Sequence, residues 1–341
     1  MPATAHHELA AAETKSCTMA PFSIVAAISR QEDPGMSHRR AVALMVLVTL
    51  LWSIAGVVSR HLDTAGSFEV TFWRSLFNAL ALSVLLTAMR GPGLWRGLAR
   101  SPWPVWFSAV CWSVMFTAFM LAITLTTVAN VLVTMAIGPL ITALFTRVFL
   151  HHRLPARTWL AIALAGVGIG WMFGQEARSG LSLAGTIVAL AVPLAAALNF
   201  TTLQYVSHRR TDAQHGVGQD MLPAVLIGAA LSAVFTFPMA YPFQSSAHDL
   251  ALLALLGAVQ LAIPCLLVVR LSRVLPAPEI ALLGLLEVVF GVTWAWLGAG
   301  EQPAASTLTG GTLVLGALIA NEALAMRGRG ASGQPQAAPR S

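Results

Sequence analysis

The sequence predicts an all-α polytopic membrane protein of ten transmembrane helices, arranged as two inverted five-helix repeats. Three observations predict it. Charge is scarce: of 341 residues 57% are hydrophobic and 10% charged, with a mean hydropathy of +0.74, whereas a soluble domain carries charge on about a quarter of its residues. Apolar runs of about 20 residues recur, each long enough to cross a hydrocarbon core of about 30 Å as a helix that satisfies its own backbone. Finally, the chain repeats itself at an offset of 149 positions, which lays Gly138-Pro139 on Glu287-Val288, His152 on Glu301, and Phe119 to Asn130 on Val268 to Glu279.

Residues 1–40 are polar and irregular. Their most apolar stretch, MAPFSIVAAI, is followed by Gln31-Glu32-Asp33-Pro34 rather than a small-residue cleavage site, so this segment reads as a disordered cytoplasmic tail instead of a signal peptide. Met36, just before Arg39-Arg40 and the first span, is a candidate translation start. The first repeat, residues 41–174, holds spans Ala41 to Ser59, Ser67 to Ala88, Pro104 to Leu125, Val128 to Phe149 and Ala156 to Gly174. The second, residues 183–326, holds Leu183 to Val206, Met221 to Tyr241, Asp249 to Val269, Pro278 to Gly298 and Ser306 to Ala325, and residues 327–341 form a second cytoplasmic tail. The connections Thr124 to Asn130 and Arg270 to Pro278 are barely polar, so a long hydrophobic hairpin is the alternative at each. Cys17, Cys111 and Cys265 lack metal-ligand spacing and read as small residues without a disulfide framework.

Charge tests the span count, because cytoplasmic loops collect Lys and Arg. With the N-terminus inside, the inner set holds Lys15, Arg30, Arg39, Arg40, Arg90, Arg96, Arg100, Arg147, Arg153, Arg157, Arg209, Arg210, Arg270, Arg273, Arg327, Arg329 and Arg340, which is 17 of the 20 basic residues. Arg60 and Arg178 fall outside and Arg74 lies within a span. A wrong count would scramble this alternation. The net charge of +6 is thereby a matter of topology and calls for no nucleic-acid partner. Five spans per half is odd, so the second half enters the membrane upside down, with His152 facing the cytoplasm and Glu301 facing out. Inverted repeats around one central site are an architecture of secondary transporters.

Several motifs resemble the EamA-type proteins of the drug/metabolite transporter superfamily over residues 40–326. They are Leu51-Trp52-Ser53, Phe72-Trp73-Arg74, Gly138-Pro139 through His152-Arg153-Leu154, Gly166 with Gly168, Leu286-Glu287-Val288, Gly300-Glu301, and Gly310-Gly311 through Gly316. The resemblance implies a ten-helix bundle in the bacterial inner membrane, both termini cytoplasmic, that moves small metabolites such as amino acids, often outward. Two departures stand out: His152 replaces the glutamate that usually closes span four, and Val288 follows Glu287 where the family tends to carry proline.

Two charges within spans are candidates for the site. Arg74 lies about seven residues into span two, roughly 10 Å below its outer end. Arginine in a span costs at least about 2.5 kcal/mol, so it faces a cavity or protein, or else snorkels to the outer headgroups. Glu287 lies about nine residues into span nine, roughly 14 Å from the inner side, too deep for a carboxylate to snorkel. In a slab of about 30 Å these depths leave the two charges roughly 6 Å apart in height. Glu287 is thus expected as a proton-coupling acid or amine contact and Arg74 as a carboxylate contact, the alternative being a structural, protonated Glu287. Trp52, Asn199 and Gln260 are the further substrate-binding candidates. Asn78, Trp112, Gln204 and Asn321 read more readily as interhelical bonds or packing. Trp95, Trp103 and Trp106 belong to the interfacial belt. Pro139, Pro193, Pro223 and Pro264 are candidate flex points, and Gly166, Gly168, Gly170 and Gly316 candidate close-packing positions. His151-His152 reads as a helix cap, since adjacent residues point to different sides and three arginines lie close by.

No GxxxxGK[ST] loop, HExxH helix or Ser/His dyad is present in the sequence, which argues against an ATP-driven pump and an intramembrane enzyme. The expected partners are a small-molecule substrate and membrane lipid, without cofactor or metal; a homodimer is left open. The competing reading is a non-transporting membrane sensor or assembly factor.

Overall fold

The computed structural model describes residues 36–98, 100–150, 156–179, 183–212 and 220–331. Most of both expected tails, and the His151-His152 corner, lie outside the described residues. Every regular element among the described residues is helical. Helices α1 (His38–Ser59), α2 (Ser67–Arg90), the short α3 (Gly93–Leu98) and α4 (Trp103–Leu125) come first. Then follow α5 (Val128–Met135), α6 (Gly138–Leu150), α7 (Ala156–Ser179) and α8 (Leu183–Asp212). The remainder comprises α9 (Leu222–Ala240), α10 (Ala247–Leu255), a π-helical turn (Leu256–Ala262), α11 (Ile263–Leu271), α12 (Ala277–Gly284), α13 (Leu286–Ala299) and α14 (Ala305–Ala331).

Local chemistry sets these boundaries. Thr127 caps α5 by accepting from the Asn130 amide at 3.2 Å, and Ser246 with Asp249 forms a reciprocal capping box at the start of α10. Gly300, at φ +65°, ends α13 in the left-handed conformation, which lets the Glu301 amide reach back to the Ala295 carbonyl at 3.1 Å. Turns at Thr126-Thr127 and after Leu271 separate the spans on either side.

Three expected spans are not continuous α-helices. Span four breaks at Ala136-Ile137 between α5 and α6, and span nine breaks at Leu285 between α12 and α13. The breaks at Ala136 and Leu285 are separated by the repeat offset. Span eight widens into the π-turn before Pro264, whose ring nitrogen cannot donate to the carbonyl of Gln260 four residues back. Eight helical stretches, counting broken ones whole, are long and apolar enough to cross a membrane; Trp159–Trp171 and Ala305–Asn321 are shorter apolar runs where spans five and ten were expected. Small and hydroxylated residues between Ser306 and Gly316 dilute the hydropathy of the last one.

Packing has a regularity that matches the repeat. α4 lies on α8 as α1 lies on α11, α4 meets α9 as α2 meets the π-turn, and α1 meets α13 as α8 meets α6. The pairs α2 with α9 and α7 with α14 complete the set. Exchanging each apolar stretch for the one five further along returns the same neighbours. Among the glycines expected to permit close packing, only Gly168 does so, with the Gly310 carbonyl 2.8 Å from where a Cβ would sit; Gly166, Gly170 and Gly316 face open space.

At the end of the bundle expected to face out, polar ties join loops distant in sequence. Asp249 accepts from the amides of Asp63 (2.8 Å) and Thr64 (3.1 Å) and from the Thr64 hydroxyl (2.9 Å). Glu69 accepts from the amides of Gln244 and Ser245 and from the Ser245 hydroxyl. Arg60 pairs with Glu301 at 2.9 Å and donates to the Thr126 carbonyl at 2.8 Å. Towards the other end, Arg90 pairs with Asp220.

Candidate functional site

The two helix breaks border a space of about 90 Å³, and a second of about 70 Å³ adjoins it; these two lobes share the lining residues Trp52, Met115, Met135, Val192 and Glu287. The larger lobe runs past Gly138, Pro139 and Thr142 of α6 and Ile280 and Gly284 of α12, along the helix halves that lead to the expected inner side. The smaller lobe contains Arg74, Trp112, Phe119 and Gln260. Each lobe has room for a few waters.

Arg74 is 2% exposed. Its Nη2 donates to Gln260 Oε1 at 3.0 Å, and its Cζ lies 5.6 Å from the centre of the Phe119 ring. The snorkelling alternative is therefore overturned: the guanidinium turns inward because a fixed amide and an aromatic face await it there. Gln260 donates its Nε2 to the Trp52 carbonyl at 3.0 Å, so its amide is held at both ends. It stands in the π-turn, a distortion common at functional sites. Gly257, one turn earlier, makes the approach of α2 attainable: a Cβ there would sit 2.6 Å from the Arg74 carbonyl and 2.7 Å from the Asn78 amide.

Glu287 is the second residue of α13, beside the break at Leu285, rather than midway along an unbroken helix. It is 9% exposed and borders both lobes. The freed amides at a helix N-terminus favour a carboxylate at this place. Among the described residues, no ion pair joins it to Arg74 within 4.0 Å, so the two charges stand in the same cavity without direct contact.

Four of the five candidates, Trp52, Arg74, Gln260 and Glu287, thus share one cavity, and Asn199 does not. Val192, Ala196 and Phe200 carry the cavity stripe of α8 at i, i+4 and i+8. Asn199, about 100° round from Phe200, instead accepts from Ser108 of α4 at 2.6 Å. The proline expectations divide. Pro139 follows the α5–α6 break and Pro264 the π-turn, whereas Pro193 lies inside α8 and Pro223 occupies the first turn of α9. Trp95, Trp103 and Trp106 are exposed, as an interfacial belt requires. Sequence reasoning missed Met45, Met115, Met135 and Phe119 as lining residues, since nothing distinguishes a cavity-facing apolar side chain from its neighbours in an apolar run.

Comparison with known proteins agrees with this architecture. Residues 39–174 match the EamA-like transporter family. The chain is 24% identical over 284 residues to the pseudopaline exporter CntI of Pseudomonas aeruginosa (strain UCBPP-PA14), covering 83% of this chain and 95% of that protein. It is 25% identical over 198 residues to an uncharacterized transporter of Vibrio cholerae serotype O1, covering 55% of this chain and 62% of that one. A solved crystal structure superposes with a TM-score of 0.58 at 20% identity, over 85% of this chain and 100% of the other, which bears on the fold alone.

Proposed function

We propose that the chain, which matches the EamA-like transporter family over residues 39–174 and is similar to a transporter over most of its length, exports small metabolites such as amino acids across the bacterial cytoplasmic membrane by alternating access. The observation that carries this reading is the meeting of two broken helices, equivalent under the repeat, on one lobe that shares Glu287 with the adjoining lobe of Arg74 and Gln260. Discontinuous helices at a repeat interface expose backbone polar groups where a solute passes, and two equivalent halves can exchange shapes around it. The packing that survives exchange of the halves supports ten spans in two inverted repeats, residues 41–174 and 183–326, with both termini inside.

Within that scheme Glu287 takes the proton or the substrate amine and Arg74 takes the substrate carboxylate, with Gln260 and the Trp52 backbone fixing the arginine. The cavity runs towards the expected inner side while the other end is tied by Arg60, Glu69, Asp249 and Glu301, an arrangement suited to loading from the cytoplasm. The likeness to an exporter over nearly its whole length favours the outward direction.

Solute counterflow in proteoliposomes tests the reading, with candidate solutes chosen by metabolite profiling of cells lacking and overproducing the protein. Glu287→Gln is expected to abolish pH-driven transport while the protein stays folded and equilibrium exchange persists. Unchanged pH-driven transport in this variant rejects proton coupling through Glu287; no counterflow of any solute rejects the carrier reading.

A further inference from the structure

Two contacts, one near each end of the bundle, are equivalent under the repeat. Asn130, the third residue of the eight-residue helix α5, donates its Nδ2 to the Thr186 hydroxyl near the start of α8. Glu279, the third residue of the eight-residue helix α12, meets His38 at the start of α1, with 2.8 Å between Oε1 and Nε2. Asn130 and Glu279 stand at the repeat offset. His38 and Thr186 stand one position short of it, and so do Met45 with Pro193 and Trp52 with Phe200, which line the larger lobe from α1 and α8. The spacing that lays the cavity wall of α1 on that of α8 therefore lays one contact on the other as well.

Each contact ties down the free end of a half-helix. α5 and α12 are each about 12 Å long, and each runs from one end of the bundle to a break that borders the larger lobe. α5 points to the expected outer side and α12 to the expected inner side, so a tilt of either about its break opens one mouth and leaves the other as it is. The two contacts differ in how firmly they hold. Asn130 and Thr186 are buried, and Gly185 seats α8 so closely on the α4–α5 turn that a Cβ there would lie 2.8 Å from the Thr126 side chain. The His38 and Glu279 side chains are 60% and 30% exposed, where water and salt screen an ion pair.

We propose that Asn130–Thr186 and His38–Glu279 are the outer and inner gate contacts of the carrier, and that α5 and α12 are the gates themselves, each swinging on the break at its foot. The proposal rests on the carrier reading above and adds to it the moving parts and the residues that hold them shut. An inverted repeat gives whatever closes one mouth a counterpart at the other. An exposed ion pair yields more readily than a buried hydrogen bond, whose parted groups lose their water with no return. The inner gate therefore opens more often in the protein without solute, and the larger lobe, with Met45 and Trp52 on its wall, then faces the cytoplasm.

The test reads from which side the cavity is reached in the full-length protein, without any solute. Cys17, Cys111 and Cys265 are replaced by alanine, and Ala196→Cys, on the wall of the larger lobe, reports access to a membrane-impermeant methanethiosulfonate applied to right-side-out or inside-out vesicles. Thr186→Val, which keeps the side-chain shape and removes the hydroxyl, is expected to raise labelling from outside about tenfold and to lower it from inside. Glu279→Gln is expected to do the reverse, raising labelling from inside about twofold to fivefold. A side chain that only stabilised the bundle would change access from both sides alike. A second measurement weakens neither contact: cysteines at both members of one pair are crosslinked in the same background before labelling. The joined Asn130→Cys/Thr186→Cys protein is expected to react from inside alone, and the joined His38→Cys/Glu279→Cys protein from outside alone. Labelling that stays unchanged, moves alike from both sides or moves against these directions overturns the gate assignment. Counterflow with the same reporter protein separates the two readings: solute exchange with unshifted labelling leaves a carrier without these gates, and no exchange of any solute rejects the carrier reading and the gates with it.

Discussion

Arg74 donates to the side-chain oxygen of Gln260 across 3.0 Å, joining span two to the π-turn of span eight through residues 186 apart in sequence. The acceptor is neutral, so it orients the guanidinium without cancelling its charge. Gln260→Leu removes that acceptor and is expected to destabilise the protein by about 1–3 kcal/mol, read as a lower midpoint of thermal unfolding in detergent. Gln260→Glu should behave differently. A carboxylate in contact neutralises Arg74, so the protein stays folded while counterflow falls by an order of magnitude or more.

Gly257 holds α2 against the π-turn, and the space it leaves is filled by backbone, which cannot swing aside as a side chain can. Gly257→Ala places a methyl group 2.6 Å from the Arg74 carbonyl. The expected cost is about 1–3 kcal/mol of overpacking, together with weaker transport as Arg74 parts from Gln260. Gly316→Ala is the matched control, since nothing lies within 4 Å of its Cβ position, and its unfolding midpoint is expected to stay within about 1 °C.

Much of this fold is legible in residue chemistry. Hydropathy marks where helices cross, because lipid offers backbone no partner, and Arg74 and Glu287 announce themselves because charge in a span is costly. The breaks are harder to read. Pro139 lies three residues past Ala136, but no proline marks Leu285, where only the repeat offset hints at a matching interruption. Asn199 meets Ser108 rather than the cavity, which the sequence does not reveal, since hydropathy fixes that a helix is buried and leaves open which neighbour each face meets. Trp112 reads from the sequence as packing. Its stacking on Phe116 agrees with that reading, and only the unmet indole nitrogen adds to it. Asp249 and Glu69 passed unnoticed, since an acid in a first helical turn looks like an ordinary cap until the distant amides it gathers are visible.

Those two acids lead to a stability prediction. Asp249 accepts from two successive amides of the α1–α2 loop, Asp63 and Thr64, and from the Ser246 amide at the start of its own helix, so Asp249→Ala strands several donors at once. The expected loss is about 2–4 kcal/mol, seen as a lower unfolding midpoint and faster hydrogen exchange at Asp63 and Thr64. Glu301→Gln breaks a partly exposed pair and is expected to cost no more than about 1 kcal/mol. Equal losses in the two variants would contradict this ranking.

The same Arg60–Glu301 contact offers a handle on conformational cycling. It joins the end of α1 to the loop between α13 and α14, and Arg60 also holds the Thr126 carbonyl, so three loops meet at one guanidinium. Under alternating access this end must part for solute to leave, and the weakness of an exposed pair suits a contact that is broken in every cycle. Replacing both residues by cysteine in an otherwise cysteine-free chain and joining them with a short thiol-specific crosslinker is expected to stop counterflow, and reductive cleavage of the linker to restore it. Labelling the same Glu301→Cys with a membrane-impermeant maleimide in intact cells is expected to succeed only from outside. If the crosslinked protein transports at the normal rate, this end of the bundle does not open during the cycle, and alternating access through it is excluded.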